Sequence, residues 1–290
     1  EMGIFAVLNL ILTIAQVFGT LALASAAVKY IAHYLAEKQI EKAKSVVSAV
    51  LRIWVAASIP SFCILFFLAE PLSLWLFGTS SQTLLFQALA FVVSFNILYL
   101  GIVSFLQGLQ KMFEVSSIGF ILAITQNFLG LYFIFSGLGL LGIVYGWLIG
   151  LSVSTLISLA LTYRYLGISR KSHPARPLIG FSFPLYLSNI LTFFASWIDQ
   201  IFVLSFIGTG RMLGVYYIAV RASVVPSLIF TSGIAALFPQ LSELYARNGA
   251  TSLKGVFGAS TRYATLIGSP MIIGLATLAY PIVILFAGLE

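Results

Sequence analysis

Two ionised side chains stand far from the ends of apolar stretches in this sequence. Arg221 lies ten residues beyond Arg211, and Asp199 lies nine residues before Gly208. At helical rise these separations are about 15 Å and about 14 Å. A tight turn at Gly208 joins the two stretches, so both charges are expected at one depth. A charge at mid-bilayer costs about 2.5–3.5 kcal/mol on insertion scales and marks a functional site by default. Two chemistries fit. An Arg–Asp ion pair would let both helices insert and do nothing more. Alternatively, the guanidinium faces a cavity and binds a phosphate, with Asp199 orienting it or exchanging a proton.

Uncharged polar residues recur in stripes. Ser188, Thr192, Ser196 and Asp199 are spaced by four, four and three, with Asn189 beside Ser188, while Asn9, Thr13, Gln16 and Thr20 do likewise near the start of the chain. Such spacing puts each set on one helix face. A water-filled lumen would use such a face, and hydrogen bonding between neighbouring helices gives the same pattern. Asn96, Gln107 and Asn127 are secondary candidates. Arg52 and Arg262 are expected to begin their helices at the membrane boundary. There they act either as snorkelling anchors or as an entrance that gathers pyrophosphate headgroups. Trp54, Trp75 and Trp147 read as interfacial or packing residues. His33 and His173 fall in basic loops, too far from a second ligand for a metal.

Catalysis finds no support in these residues. No Gly-Lys-Ser/Thr loop cradles a nucleotide phosphate, and the eight acids form neither a carboxylate pair nor a Ser-His-Asp set. Cys63 is the one cysteine, which excludes a disulfide within the chain and a cysteine-based metal site. Neither a metal nor a cofactor is expected.

The elements that must hold these residues are membrane helices. Charged residues make up 8% of the sequence and hydrophobic ones 60%, with a mean hydropathy of +1.08; soluble domains carry about 25% charged residues. A crossing needs about 20 mostly apolar residues, and such stretches fall near 3–28, 46–69, 82–108, 113–136, 139–163, 179–207, 212–238 and 257–286. If each one crosses, thirteen of the 15 basic residues lie in loops on one side, from Lys29, Lys38, Lys42, Lys44 and Arg52 through Lys111 and Arg164, Arg170, Lys171 and Arg176 to Arg247, Lys254 and Arg262. That side is cytoplasmic by the positive-inside rule. The net charge of +7 is therefore a topology signal with affinity for anionic lipid, and it argues against a nucleic-acid partner.

An internal repeat organises the spans. A shift of 210 residues superposes Arg52 on Arg262, Pro60 on Pro270, Leu65 on Leu275, Leu68 on Leu278, Ala69 on Ala279, Pro71 on Pro281 and Gly78 on Gly288. A shift of 211 superposes Gly3 on Gly214 and Tyr34 on Tyr245. Both copies run the same way, which is the arrangement of parallel-repeat transporters with a midplane site between lobes. The expected fold is an all-α, multi-span helical bundle of two pseudo-symmetric lobes. Residues 1–177 supply the first lobe, lacking its first helix, and 178–290 begin the second. Eight spans of at least twelve are expected, with both ends truncated.

The run Phe181-Ser182-Phe183-Pro184-Leu185 followed by Trp197-Ile198-Asp199-Gln200 resembles the seventh helix of polysaccharide-transport flippases. Gly214-Val215-Tyr216-Tyr217-Ile218-Ala219, the stretch Ala236 to Ser242 and the close from Pro281 to Gly288 resemble the same family. These belong to the multidrug/oligosaccharidyl-lipid/polysaccharide exporter superfamily, and the resemblance covers nearly the whole chain as helices two to nine. It implies alternating access that carries a lipid-linked oligosaccharide from the cytoplasmic to the outer leaflet of the plasma (inner) membrane, with glycan-assembly enzymes as partners. Coupling to H+ or Na+ stays open. A cation-coupled multidrug exporter is the alternative, with Asp199 as the ion site, and a membrane glycosyltransferase or polymerase stands third. Replacing Arg221 by Ala is expected to abolish export and Arg221→Lys to retain part of it, measured as substrate delivered to the outer leaflet. Unchanged export in the Ala variant removes Arg221 from the mechanism.

Overall fold

The computed structural model describes residues 2–167, 169, 173–207, 212–224, 227, 230, 253–281 and 284. Its elements are helices: α1 Met2–Thr20, α2 Leu23–Ala36, α3 Ile40–Phe67, α4 Ala69–Phe77, α5 Thr83–Gly108, α6 Met112–Phe133, α7 Gly139–Tyr165, α8 Ala175–Ile207, α9 Met212–Val224 and α10 Leu253–Thr277. No strand occurs among the described residues. A helix closes its backbone hydrogen bonds within its own segment, which is what hydrocarbon demands.

Five helical runs among the described residues are long and apolar enough to cross a bilayer: Met2–Thr20, Ile40–Phe67, Ser80–Gly108, Met112–Tyr165 and Ala175–Phe206. The fourth holds 54 residues and folds back on itself. Gly137 and Gly139 take φ of 88° and 54°, left-handed values that glycine adopts without steric penalty. Beyond them α7 returns along α6, with Gly142 against Phe133, Gly146 against Gly130 and Gly150 against Gln126. A Cβ at Gly146 would lie 2.6 Å from the Gly130 nitrogen, so the pair closes only because small residues face each other. The run makes two antiparallel helices, as the separate stretches 113–136 and 139–163 suggest.

The chain divides into two compact units, one of Val7–Ser205 and one of Met2–Ala6 with the residues from Phe206 onward. In the first unit α5 is the central post, packed by α2, α3, α4, α6 and α7. Phe86, Leu89, Val92, Ile97, Phe105 and Leu106 along it are buried. A helix buried to this extent is mostly apolar, and α5 keeps its few polar groups among those apolar contacts.

The first span differs from the expected single helix over 3–28. The chain breaks at Leu21 and Ala22, with φ of 50° and 53°, before α2 begins. Gly19 at the end of α1 lies against Ile97, and α2 packs along α5 with Ile31 against Gly108. The break leaves helix-end carbonyls without helical partners, and the Trp54 indole N–H donates to the Thr20 carbonyl at 3.2 Å. Trp54 is fully buried, its ring filling the space where Gly101 has no side chain. Of its two expected roles, packing is the one it has.

The basic loop expected after the first span is also mostly helix. Lys29 lies in α2, while Lys42, Lys44 and Arg52 lie in α3, leaving only 37–39 as the connection. With 28 residues, α3 is about 42 Å long, longer than the ~30 Å hydrocarbon, so its basic turns can stand clear of lipid. Arg52 is twelve residues into α3 and Arg262 nine into α10, so neither begins its helix as expected.

One local shape recurs. α3 stops at Phe67 and resumes as α4 after Leu68, three residues before Pro71. Proline has no N–H to bond the carbonyl four residues back, and its ring presses on that carbonyl. α10 likewise stops at Thr277 before Leu278 and Pro281. Leu68 N donates to Ile64 O at 2.9 Å, and Leu278 N donates to Gly274 O at 2.9 Å.

In the second unit α9 lies on the chain's first turn. A Cβ at Gly214 would be 3.1 Å from the Gly3 nitrogen, and Tyr217 meets Phe5 edge-on with ring centroids 5.9 Å apart. Several expectations fall outside the described residues: the end of the span 212–238, the stretch Ala236 to Ser242, Tyr245, Gly288, and the basic residues Arg170, Lys171, Arg211 and Arg247, with the side chain of Lys254.

The Trp54–Gly101 contact predicts a stability difference. Gly101→Ala should destabilise the fold by about 1–3 kcal/mol, the usual penalty for overpacking, read as a lower thermal midpoint in detergent. Gly119→Ala, on α6 with nothing within 4 Å of the added carbon, should leave the midpoint unchanged or raise it. Equal behaviour of the two variants would contradict the packing described.

Candidate functional site

α8 carries the most chemically varied face of the first unit. Leu178, Ser182, Phe193, Trp197 and Gln200 are buried, whereas Ser188, Asn189, Thr192 and Ser196 are exposed and Asp199 is half-buried. The 3.6-residue repeat produces this division, since the Ser188–Asp199 stripe and the Phe193–Trp197–Gln200 stripe are set at different angles round the helix. Thr192 turns its hydroxyl back to the Ser188 carbonyl at 2.9 Å, and the Asp199 carboxylate accepts the Gln200 N–H at 2.8 Å. Pro184 lies inside this helix.

The stripe on α1 is built from the same parts. Asn9 and Thr13 are half-buried, Gln16 is exposed and Thr20 is buried. Thr13 donates to the Asn9 carbonyl and Thr20 to the Gln16 carbonyl, each at 2.8 Å. These threonine hydroxyls are satisfied by their own helix, so the serines, the amides and the carboxylate carry the remaining polar chemistry of both stripes. Phe18 of α1 meets Tyr186 of α8 edge-on, ring centroids 6.4 Å apart. Two residues along each helix from that contact stand Gln16 and Ser188. Both therefore point to a different side of their helix from the ring contact.

Asn9, Gln16, Asn189, Thr192 and Asp199 thus belong to two neighbouring helices of one unit. Asn96 stands on α5 with its amide oxygen buried and unpartnered among the described residues. Asn127 is exposed on α6 and donates to the Ala123 carbonyl at 2.7 Å. Arg52 is exposed on α3. Arg221 and Arg262 belong to the second unit. Arg262 is exposed and borders an open depression with Gly255, Gly258, Ala259, Tyr263 and Leu266. The Arg221 guanidinium lies over the ring of Tyr217, 4.8 Å from its centroid, a cation–π contact within α9. Tyr217 is buried. Sequence reading had not assigned Tyr217 a role, although its place four residues before Arg221 was a usable signal. Among the described residues no group of three or more His, Cys, Asp or Glu side chains is gathered.

Five helical runs among the described residues, long and apolar enough to cross a bilayer, make this a polytopic membrane protein. Residues 1–290 match the family described as polysaccharide biosynthesis protein, and the chain belongs to that family. It is also 26% identical over 174 residues to the probable low-salt glycan biosynthesis flippase Agl15 of Haloferax volcanii, an alignment covering 60% of this chain and 36% of that protein. The chain spans about a third of the length of this relative. No solved structure matches it.

Whether the α8 stripe is wet can be measured. In a Cys63→Ala background, cysteines at Ser188, Thr192 and Ser196 are expected to react with a membrane-impermeant maleimide. Cysteines at Leu191 and Phe194, exposed apolar positions of the same helix, should resist it. Equal labelling at all five positions would contradict a polar lumen.

Proposed function

We propose that this chain forms part of a flippase that moves a lipid-linked oligosaccharide or polysaccharide precursor to the outer leaflet by alternating access. The observation that carries the reading is the exposed polar stripe of α8, on a helix long and apolar enough to cross a bilayer. Polar and ionisable groups inside a bilayer face a water-filled cavity or the bundle interior rather than acyl chains. A saccharide moving between leaflets needs such hydroxyl and amide partners in place of its hydration. Membership of the polysaccharide biosynthesis family supports a glycan cargo, and the flippase named among its relatives supports translocation over synthesis.

In this reading residues 1–177 form most of one lobe and 178–290 begin the second, eight spans in all. The helix breaks at Leu68 and Leu278, 210 residues apart, support like-oriented repeats. Arg221, steadied by the Tyr217 ring, binds a phosphate of the carrier lipid, and Asp199 orients it or takes up a coupling H+ or Na+. Arg52 and Arg262 gather the headgroup at the cytoplasmic entrance, and Asn9, Gln16, Asn96, Asn189 and Thr192 line the path. The basic loops face the cytoplasm, the membrane is the plasma (inner) membrane, and glycan-assembly enzymes hand over the cargo. No bond is made or broken, so the protein is not an enzyme.

Lipid analysis of a deletion strain tests this. Accumulation of lipid-linked oligosaccharide on the cytoplasmic leaflet, reversed by the intact gene, is the expected result. A normal lipid profile accompanied by drug sensitivity would replace the flippase with a multidrug exporter.

A further inference from the structure

The connection between α7 and α8 is fastened to α2 and α3 of the first unit. His173 stands at its centre. Its Nδ1 lies 2.9 Å from the Pro174 carbonyl and its Nε2 lies 2.9 Å from the Tyr34 hydroxyl. An imidazole protonated on Nδ1 donates to the first and accepts from the second, which satisfies both ring nitrogens in the neutral form. The ring packs against Tyr30 and Tyr34, with centroids 6.0 Å and 5.7 Å away. The His173 backbone N–H donates to the Ser45 carbonyl of α3 at 3.1 Å, and the Ser48 hydroxyl donates to the Ser169 carbonyl at 2.6 Å. Further on, the Tyr30 hydroxyl donates to the Pro177 carbonyl at 3.4 Å, and the Lys29 ammonium lies over the Phe181 ring, 3.8 Å from its centroid.

These contacts bind α2 and the start of α3 to the connector and the first two turns of α8. They end at Phe181, three residues before Pro184, where a missing N–H leaves the Gly180 carbonyl without its helical partner. Sharp helix bends concentrate at proline.

We propose that His173 is the positioning residue of a clamp that makes the first two turns of α8 move as one piece with α2 and α3, so that any bending of α8 falls at Pro184. The clamp itself is a mechanical statement about this chain. That it stays shut throughout a transport cycle rests on the flippase reading, and the two parts have separate tests.

Amide hydrogen exchange on the full-length protein in lipid nanodiscs tests the clamp. His173→Ala should speed exchange in residues 30–37 and 173–181 together by about tenfold, as loss of one net hydrogen bond allows, while α5 stays protected. Tyr34→Phe, which removes only the hydroxyl, should do the same. His173→Gln, able to accept from Tyr34 and donate to Pro174, should restore slow exchange. Unchanged exchange in both Ala and Phe variants overturns the clamp, whatever the protein transports. The second test is a disulfide between Ser48→Cys and Ser169→Cys in the Cys63→Ala background, with transport compared before and after reduction. Equal rates support a clamp that never opens. Transport lost on oxidation and regained on reduction overturns the closed-clamp part while leaving the flippase reading intact.

Discussion

Helices in hydrocarbon gain little by hiding apolar surface from one another, because the lipid around them is equally apolar. Association then depends on how near the backbones can come, and here missing side chains set that distance. Gly19 admits Ile97, Gly101 admits the Trp54 ring, Gly108 admits Ile31, and the glycines of α7 admit the backbone of α6. Around α5 these close approaches hold α2, α3 and the end of α1 in one packed body. The break at Leu21–Ala22 belongs to the same arrangement. A polar carbonyl exposed by that break is taken up by the indole of the residue that fills the Gly101 notch.

Proline supplies the second organising element. Pro71 and Pro281 each end a long helix one turn earlier, by the same lost hydrogen bond, and the shape is reproduced 210 residues apart. Such a repeat is legible in sequence because proline acts locally, through one N–H and one ring. Pro60, Pro184 and Pro270 lie inside α3, α8 and α10, so the same chemistry that ends helices also places compliant points within them. The chain thus combines rigid glycine-notched contacts with proline-weakened helices.

The candidate site was legible in part. Periodicity alone marked the stripes of α1 and α8, because a helix repeats every 3.6 residues wherever it sits. Which face was exposed needed the packed structure. Thr13, Thr20 and Thr192 turn out to spend their hydroxyls on their own backbone, which spacing cannot reveal, since the choice is a rotamer. His173 was read as an isolated loop residue. Its partner Tyr34 lies 139 positions earlier in the chain, a separation that no local pattern spans. Tyr217 beneath Arg221 was within reach of sequence reasoning, being a neighbour on the same helix.

From sequence alone came the all-helical class, several of the apolar spans and the matched prolines Pro71 and Pro281, because hydropathy and proline geometry are properties of short segments. The tertiary structure decided what depends on distant residues meeting. It split the first span at Leu21–Ala22 and turned the expected basic loop into helix. It folded α7 back on α6, assigned Trp54 to packing, and tied the connector at His173 to α2 and α3. Close packing and hydrogen-bond pairing depend on three-dimensional neighbours, and only the folded chain specifies who those are.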